Sequence, residues 1–364
     1  MFSANDKISL RQLQVLIMLD IFGTGVIVLP RRAADFAGAD GWIAVSVSAA
    51  LAMVCTFWLC RLIRLFPGKT FLDYAGTLVS RPVAYALSLG LIAKILIGLI
   101  CELRLFGEIV KVILLYNTPL AVIILGLLVI SAYAAAKGIE TRARIGQIII
   151  WLIFIPLVFV LVLVSADVDF TNLLPIGEAA PVQIVRGGFY CLSAFSGLEA
   201  ILLISPYLKR HKRVTSRSVV AVAISGVLLC AITLITISRF GSIDIIGHEW
   251  PVLEMMDAID LPGTFIERQE AIIMSLWMLS SFATVNAGLF FGGVAAHAVF
   301  KKGKWCHYLA ALVVLSFTVC FFIKDIHLVY KIMDFNFLYL GTAYMFVIPL
   351  VLNLAAKLRG CKYG

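Results

Sequence analysis

The first apolar segment of the chain, residues 11–36, reads RQLQVLIMLDIFGTGVIVLPRRAADF. It is long enough to cross a bilayer, because a membrane helix needs about 20 apolar residues. Its middle holds Gly23 and Gly25, and each glycine lowers helix propensity by about 1 kcal/mol relative to alanine. In hydrocarbon, a break is tolerated only where protein or a polar cavity satisfies the freed backbone groups. The segment therefore predicts an interrupted membrane helix.

A matching interruption lies in another apolar segment, residues 184–207, whose middle reads SAFSG from Ser193 to Gly197. A single cluster of small residues is more typical of close helix packing. Two clusters at equivalent places in the two halves of a chain instead favour two interrupted helices that share a binding site.

Composition places the whole chain in a membrane. Of its 364 residues, 62% are hydrophobic and 14% are charged, a balance that no soluble core of this size needs. We predict an all-α integral membrane protein with a single domain, residues 1–364, and ten transmembrane helices, named spans 1 to 10. The predicted spans are 11–36, 41–64, 82–112, 118–136, 143–165, 184–207, 216–239, 266–299, 305–323 and 335–356.

The distribution of charge predicts the topology. Twenty of the 30 Lys and Arg residues fall in the terminal segments and alternate loops on one side, against eight on the other side. The positive-inside rule then places both termini in the cytoplasm. The net charge of +9 is thus interpreted as a topology signal and not as a sign of nucleic acid binding.

With the N-terminus inside, span 1 runs outward and span 6 runs inward, so two five-helix halves have opposite orientations. This is the inverted repeat of many secondary transporters. We predict repeat one at residues 9–165 and repeat two at 184–357, with spans 1 and 6 discontinuous. An amphipathic stripe between spans 7 and 8 predicts a helix on the outer surface at about 248–262, which either covers the helix ends or acts as a lid or docking site.

The interruption of span 1 predicts the anion-binding part of a ligand site. The half-helix that begins there offers free N–H groups and the positive end of the helix dipole, which suit a carboxylate. The predicted contributors are Gly23, Thr24 and Gly25. Asp20 lies just before the break, where it either caps the new half-helix or acts as a charge partner.

Span 6 predicts the complementary part of the site. Backbone carbonyls at its interruption would accept hydrogen bonds from an ammonium group, and neighbouring apolar residues would border a side chain. The predicted contributors are Ser193, Phe195, Ser196, Gly197 and Leu198. In span 8, Thr284 is predicted to reach the same cavity. An α-amino acid fits these demands.

Ionisable residues within spans cost about 2.5–3.5 kcal/mol each on insertion scales, and they usually face a cavity or a partner. Lys94, Gly98 and Glu102 recur every four residues on one stripe of span 3, with Cys101 on its flank. Glu102 is predicted to line the ligand cavity or a proton or water path, unless it forms a buried ion pair with Lys94. Glu199 follows the interruption of span 6, where it either neutralises Lys94 or takes up a proton.

No catalytic pattern is found in the sequence. Residues 67–70, Pro-Gly-Lys-Thr, match the end of a P-loop, but Ile63 stands where that motif needs glycine. The eight cysteines form no C-x-x-C pair, so we interpret them as packing residues. We predict a protein that is not an enzyme and that has no cofactor and no metal.

Several short motifs follow one another in a characteristic order along nearly the whole chain. They are Ile8-Ser9, Gly23-Thr24-Gly25, Leu29-Pro30, residues 66–70 (FPGKT), Thr118-Pro119, Gly138-Ile139-Glu140 with Arg142 and Arg144, residues 172–175 (NLLP), Pro251 with Glu254-Met255, and Glu267-Arg268. In order and spacing they resemble the B subunits of spore germinant receptors, within the amino acid/polyamine/organocation transporter superfamily. The resemblance implies a LeuT-like 5+5 fold in the spore inner membrane that binds a nutrient germinant, often an amino acid.

The resemblance also implies partners, namely a receptor A subunit and a lipoprotein C subunit, with which germinant binding triggers germination. The positions that it implies for a ligand pocket or water path are Gly25, Gly98, Glu102, Leu198 and Thr284. The competing hypothesis is a proton-coupled amino acid permease, in which Glu102 or Glu199 carries the proton. Composition and the inverted repeat are the same for both hypotheses, so the sequence leaves both open.

Overall fold

The computed structural model describes residues 6–23, 25–166, 168–257 and 269–361. Helices and short connections make up this part of the chain. The α-helices are α1 (Leu10–Ile21), α2 (Gly25–Ala37), α3 (Gly41–Leu65), α4 (Phe71–Leu78), α5 (Arg81–Ile113), α6 (Leu120–Ala136), α7 (Ile139–Ser165), α8 (Pro181–Cys191), α9 (Ile201–Ile204), α10 (Val214–Phe240), α11 (Pro251–Asp257), α12 (Gln269–Phe300), α13 (Trp305–Cys320), α14 (Ile326–Phe335) and α15 (Ile348–Leu358).

The chain is an all-helical, multi-pass membrane protein. Within the described ranges, six helical stretches are long and apolar enough to cross a bilayer, and a bent pair of helical segments would make seven. The six are Gly25–Leu65, Arg81–Ile113, Ile139–Ser165, Val214–Phe240, Met274–Phe300 and Ile326–Leu358. The helices α6 and α13 are apolar but shorter.

The segment predicted as span 1 forms two helices. Ser9 starts α1 with a reciprocal cap, in which its side chain accepts from the backbone N–H of Gln12 and its own N–H donates to Gln12 Oε1 over 2.9 Å. The helix α1 ends at Ile21, and α2 begins at Gly25. Thr24 lies outside the described residues. The two pieces also pack differently, because α1 contacts α7 and α12, α2 contacts α3, α8 and α11, and α10 contacts both.

The segment predicted as span 6 is the bent pair, Pro181–Phe195 and Leu198–Tyr207, whose axes meet at 55°. Between them Gly197 has a φ of +120°, a conformation that side-chain-bearing residues rarely adopt. A Cβ atom at Gly197 would also lie 3.4 Å from the carbonyl oxygen of Asp20. Glycine is therefore needed here both for the turn and for the close approach of α1.

The N-terminal segment is joined to the end of this bent pair. The Ile8 N–H donates to the carbonyl of Tyr207 over 2.8 Å, and the Ile8 carbonyl accepts from the N–H of Lys209 over 3.1 Å. The same end of the bent pair is also joined to the end of α3, because the Ser205 hydroxyl donates to the carbonyl of Phe66 over 3.0 Å. The start of α1 and the second half of the bent pair are thus held together at one end of the bundle.

Two boundaries differ from the predicted spans. The helix α4 lies in a predicted loop, where the Thr70 side chain caps it by accepting from the N–H of Asp73. The helix α14 begins at Ile326, well before the predicted start of span 10 at residue 335, because Asp325 Oδ1 caps it through the N–H of Leu328 over 2.7 Å. Of the predicted outer-surface helix, the structure describes α11; residues 258–262 lie outside the described ranges.

Candidate functional site

The break between α1 and α2 frees backbone groups, and a neighbouring helix satisfies one of them. The carbonyl of Phe22 accepts a hydrogen bond from the hydroxyl of Ser280 on α12. Serine in a facing membrane helix is a common partner for such freed groups. A Cβ atom at Gly23 would lie 3.0 Å from Thr284 Oγ1, so α12 approaches the break closely. The N-terminus of α2, at Gly25, borders an adjacent space.

That space is a cavity of about 160 Å³ between the two helix breaks, α5, α12 and the helix that starts at Ile326. Most of the predicted ligand residues line it, and so do the predicted charge partners. The predicted residues in its wall are Gly23, Gly25, Gly98, Glu102, Ser193, Ser196, Gly197 and Thr284, with Asp20, Lys94 and Glu199.

Three predicted ligand residues do not line the cavity. Cys101 is fully buried one residue from Glu102, where the helical rotation turns it toward packed neighbours. Phe195 is fully buried as well, and its ring lies 4.0 Å from the Cβ position of Gly226 on α10. Leu198 lies beside a separate, smaller cavity that Asp20 and Arg142 also line.

An ion pair joins α5 to the second break. Lys94 Nζ contacts the carboxylate of Glu199, with side chains that are only 5% and 3% exposed. Lys94 Nζ also donates to Ser196 Oγ over 2.9 Å, and the N–H of Gly197 donates to Glu199 Oε2 over 3.1 Å. Through these two hydrogen bonds the ion pair also stabilises the unwound backbone at residues 196–199.

Asp20 has a charge partner, which is one of the two roles considered for it. It lies in the last turn of α1, and its carboxylate accepts from the guanidinium of Arg142 on α7. The Arg142 guanidinium also lies 5.1 Å from the ring centre of Phe291 on α12. Arg142 lies just before predicted span 5, where the sequence places it with the loop cations, but its side chain is buried beside Asp20.

Arg32 is a second cation of the site; it lies near the outer end of predicted span 1 and belongs to the eight cations of the outer side. Its guanidinium donates to Ser193 Oγ over 3.1 Å and pairs with the carboxylate of Asp334 over 2.7 Å. This side chain therefore connects α2 with the second break and with α14, and it forms part of the cavity wall. Its position near the end of an apolar segment gave no signal that separates it from its neighbour Arg31.

Asn336 is the third residue of the site that sequence reasoning missed. It starts a π-helical segment, Asn336–Gly341, that follows α14 and is continued by a second one, Ala343–Val347. Asn336 is buried, lines the cavity, and donates from Nδ2 to the carbonyl of Lys94 over 3.3 Å. Span 10 is predicted to start at residue 335, which places Asn336 at the membrane edge, where an asparagine does not stand out.

Comparison with known proteins supports the transporter-like architecture. A family model described as "Spore germination protein" matches residues 7–329. The chain is 25% identical to spore germination protein YndE of Bacillus subtilis (strain 168) over 303 residues, which cover 83% of this chain and 84% of that protein. It is 25% identical to spore germination protein B2 of the same organism over 362 residues, or 96% of this chain and 95% of that protein.

Among solved structures, the chain is similar to Mhp1, a nucleobase-cation-symport-1 family transporter in a closed conformation with bromovinylhydantoin bound. The TM-score is 0.70 over 98% of this chain and 80% of that chain, at 13% identity. At this identity the likeness shows the fold alone. The resemblance inferred from the order of short motifs is confirmed by the family match, which covers most of the sequence. This chain therefore belongs to the spore germination protein family.

Proposed function

We propose that this protein is the nutrient-sensing subunit of a spore germinant receptor and that it binds a small amino acid at the two helix breaks. The observation that carries the proposal is the cavity of about 160 Å³ lined by Gly25, Ser193 and Thr284. A cavity of about 150 Å³ in another protein accommodates benzene, which has six heavy atoms. Alanine also has six heavy atoms, so it is the right size.

The chemistry of the wall supports a zwitterion. The α2 N-terminus at Gly25 offers N–H groups and a positive dipole end, which suit a carboxylate. Carboxylates also line the wall, at Asp20, Glu102 and Glu199, and they suit an ammonium group. A small molecule that carries both charges would find partners of both kinds in this wall.

The proposal includes a topology. Ten spans in two inverted halves, 9–165 and 184–357, would place the breaks of spans 1 and 6 opposite each other near the middle of the bilayer. Both termini would be cytoplasmic, since the Lys and Arg residues concentrate on that side. The membrane would be the spore inner membrane, and the partners would be an A subunit and a lipoprotein C subunit.

Gly98 provides a direct test of the cavity. A Cβ atom there would lie 3.7 Å from Asn336 Nδ2, so the backbone tolerates a side chain, but the added methyl groups of valine would occupy ligand space. We expect Gly98→Val to weaken binding of radiolabelled alanine to the purified protein at least tenfold, with the thermal unfolding midpoint nearly unchanged. Gly126→Val is the matched control, because nothing lies within 4 Å of its Cβ position and it is exposed on α6.

Two outcomes would contradict this assignment. If the valine variants at positions 98 and 126 bind alanine and other small amino acids with the affinity of the unmodified protein, the ligand does not use this cavity. If the unmodified protein binds none of them, the proposed amino acid class is wrong.

The alternative is a proton-coupled permease, which the transporter fold and the carboxylates of Glu102 and Glu199 favour. For a sensor, we expect purified protein in liposomes to bind labelled alanine without accumulating it when a proton gradient is imposed. Accumulation that stops when the gradient is collapsed would establish the permease and remove the need for partner subunits.

A further inference from the structure

Asn336 carries an acceptor that the described part of the chain leaves without a partner. Its Nδ2 donates to the carbonyl of Lys94 over 3.3 Å, whereas no hydrogen bond in the described residues reaches its buried Oδ1. A backbone carbonyl can only accept, so the amide nitrogen must face Lys94, and this contact fixes the orientation of the amide group. The oxygen is the atom of the amide group that is left without a partner in the described residues.

A buried polar atom without a partner is rare, and each one calls for an explanation. Here the explanation lies in the location, because Asn336 lines the cavity and begins a π-helical segment. Such wide turns in a helix occur frequently at functional sites. On α5, Gly98 lies next to this amide group, since a Cβ atom there would be 3.7 Å from Asn336 Nδ2.

The two cations that line the cavity are engaged elsewhere. Lys94 Nζ contacts Glu199 and Ser196, and Arg32 contacts Ser193 and Asp334. A charged donor for the Asn336 oxygen can therefore come from a molecule bound in the cavity, and a hydrogen bond from a charged donor is stronger than one from a neutral donor. A molecule that enters the cavity with an ammonium group supplies such a donor.

We propose that Asn336 Oδ1 accepts a hydrogen bond from the ammonium group of the ligand, so that the cavity selects amines over the corresponding acids that lack the amino group. This inference rests on the proposed function, since it needs a small zwitterion in the cavity. It assigns part of the selection for the amine to the π-helical segment after α14, and the rest to the two interrupted helices.

The test compares alanine with propionate, which has the same carboxylate and nearly the same carbon skeleton but no amino group. We measure competition by each compound against radiolabelled alanine on the purified full-length protein. We expect the unmodified protein to prefer alanine strongly, and Asn336→Leu to reduce that preference about 10- to 100-fold, the range expected when a hydrogen bond to a charged group is lost. Propionate should bind the variant and the unmodified protein equally.

Asn353→Leu is the matched control. Asn353 is a buried asparagine on α15 that donates to the carbonyls of Trp58 and Pro349 and does not line the cavity. The same substitution there should leave the preference for alanine unchanged. Asn336→Asp is a second variant, which retains an acceptor at the same place and should keep the preference even if the protein becomes less stable.

An unchanged ratio of alanine to propionate affinity in Asn336→Leu would overturn the inference while leaving the proposed function intact. Loss of the preference in Asn336→Asp to the same degree as in Asn336→Leu would also overturn it, because an acceptor would still be present. Failure of the unmodified protein to bind alanine or any other small amino acid would instead overturn the proposed function, and this inference with it.

Discussion

Lys94→Met is expected to lower the free energy of unfolding by about 3–5 kcal/mol, the loss typical of removing one partner from a buried ion pair. The reason is that Glu199, with a side chain only 3% exposed, would keep a negative charge without its cation. The same substitution removes the hydrogen bond that Ser196 Oγ accepts from Lys94 Nζ in the unmodified protein. The measurement is an unfolding titration in mixed detergent micelles.

The double variant Lys94→Met with Glu199→Gln separates the pair from its isolated members. Replacing both charges removes the uncompensated carboxylate, so the double variant should recover most of the lost stability. Lys212→Met is the control, since Lys212 is exposed in the connection before α10 and should change stability by less than about 0.5 kcal/mol. If the double variant is no more stable than Lys94→Met, the loss of stability does not come from the broken ion pair.

Arg142→Met is expected to be as severe, again about 3–5 kcal/mol, because the Asp20 carboxylate would lose its cation in a nearly closed environment. Arg142 also lies against the ring of Phe291, a residue of the cavity wall, so one side chain connects α1, α7 and α12. We therefore expect Arg142→Met to weaken alanine binding as well, although Arg142 does not line the main cavity.

Arg144→Met tests whether the effect belongs to the buried site. Arg144 lies on the same helix with a side chain that is 44% exposed, and it pairs with Glu140 over 2.6 Å. An exposed pair of this kind contributes about 0–1 kcal/mol. Equal losses from the substitutions at positions 142 and 144 would contradict the assignment of a structural role to the Asp20 contact.

The sequence was sufficient to predict that the chain is helical, spans a membrane several times and is related to germination proteins. It was also sufficient to find most of the glycine, polar and charged residues of the cavity wall, because such residues are conspicuous in apolar segments. Gly23 and Gly25 interrupt one run, and Ser193, Ser196 and Gly197 interrupt another. Lys94 and Glu199 stood out for the same reason, since an ionisable residue in hydrocarbon needs a partner.

The residues that were missed lie where a span meets a loop. Arg32 and Arg142 were counted with the cations outside the membrane, and Asn336 was placed at the membrane edge by a helix start predicted too late. Linear position does not show whether a residue near a helix end turns toward solvent or toward a cavity. The direction depends on helix rotation and packing; the buried Arg142 and exposed Arg144 differ by two residues, or about 200° around the helix.

The two hydrogen bonds of Ile8 have a mechanical consequence. They join the chain just before α1 to the chain just after α9, through backbone atoms that most substitutions at position 8 preserve. A movement that swings one of these half-helices away from the bundle would have to break both hydrogen bonds or carry the other half-helix with it. A ligand that contacts both breaks would therefore act on two half-helices that are already joined at one end.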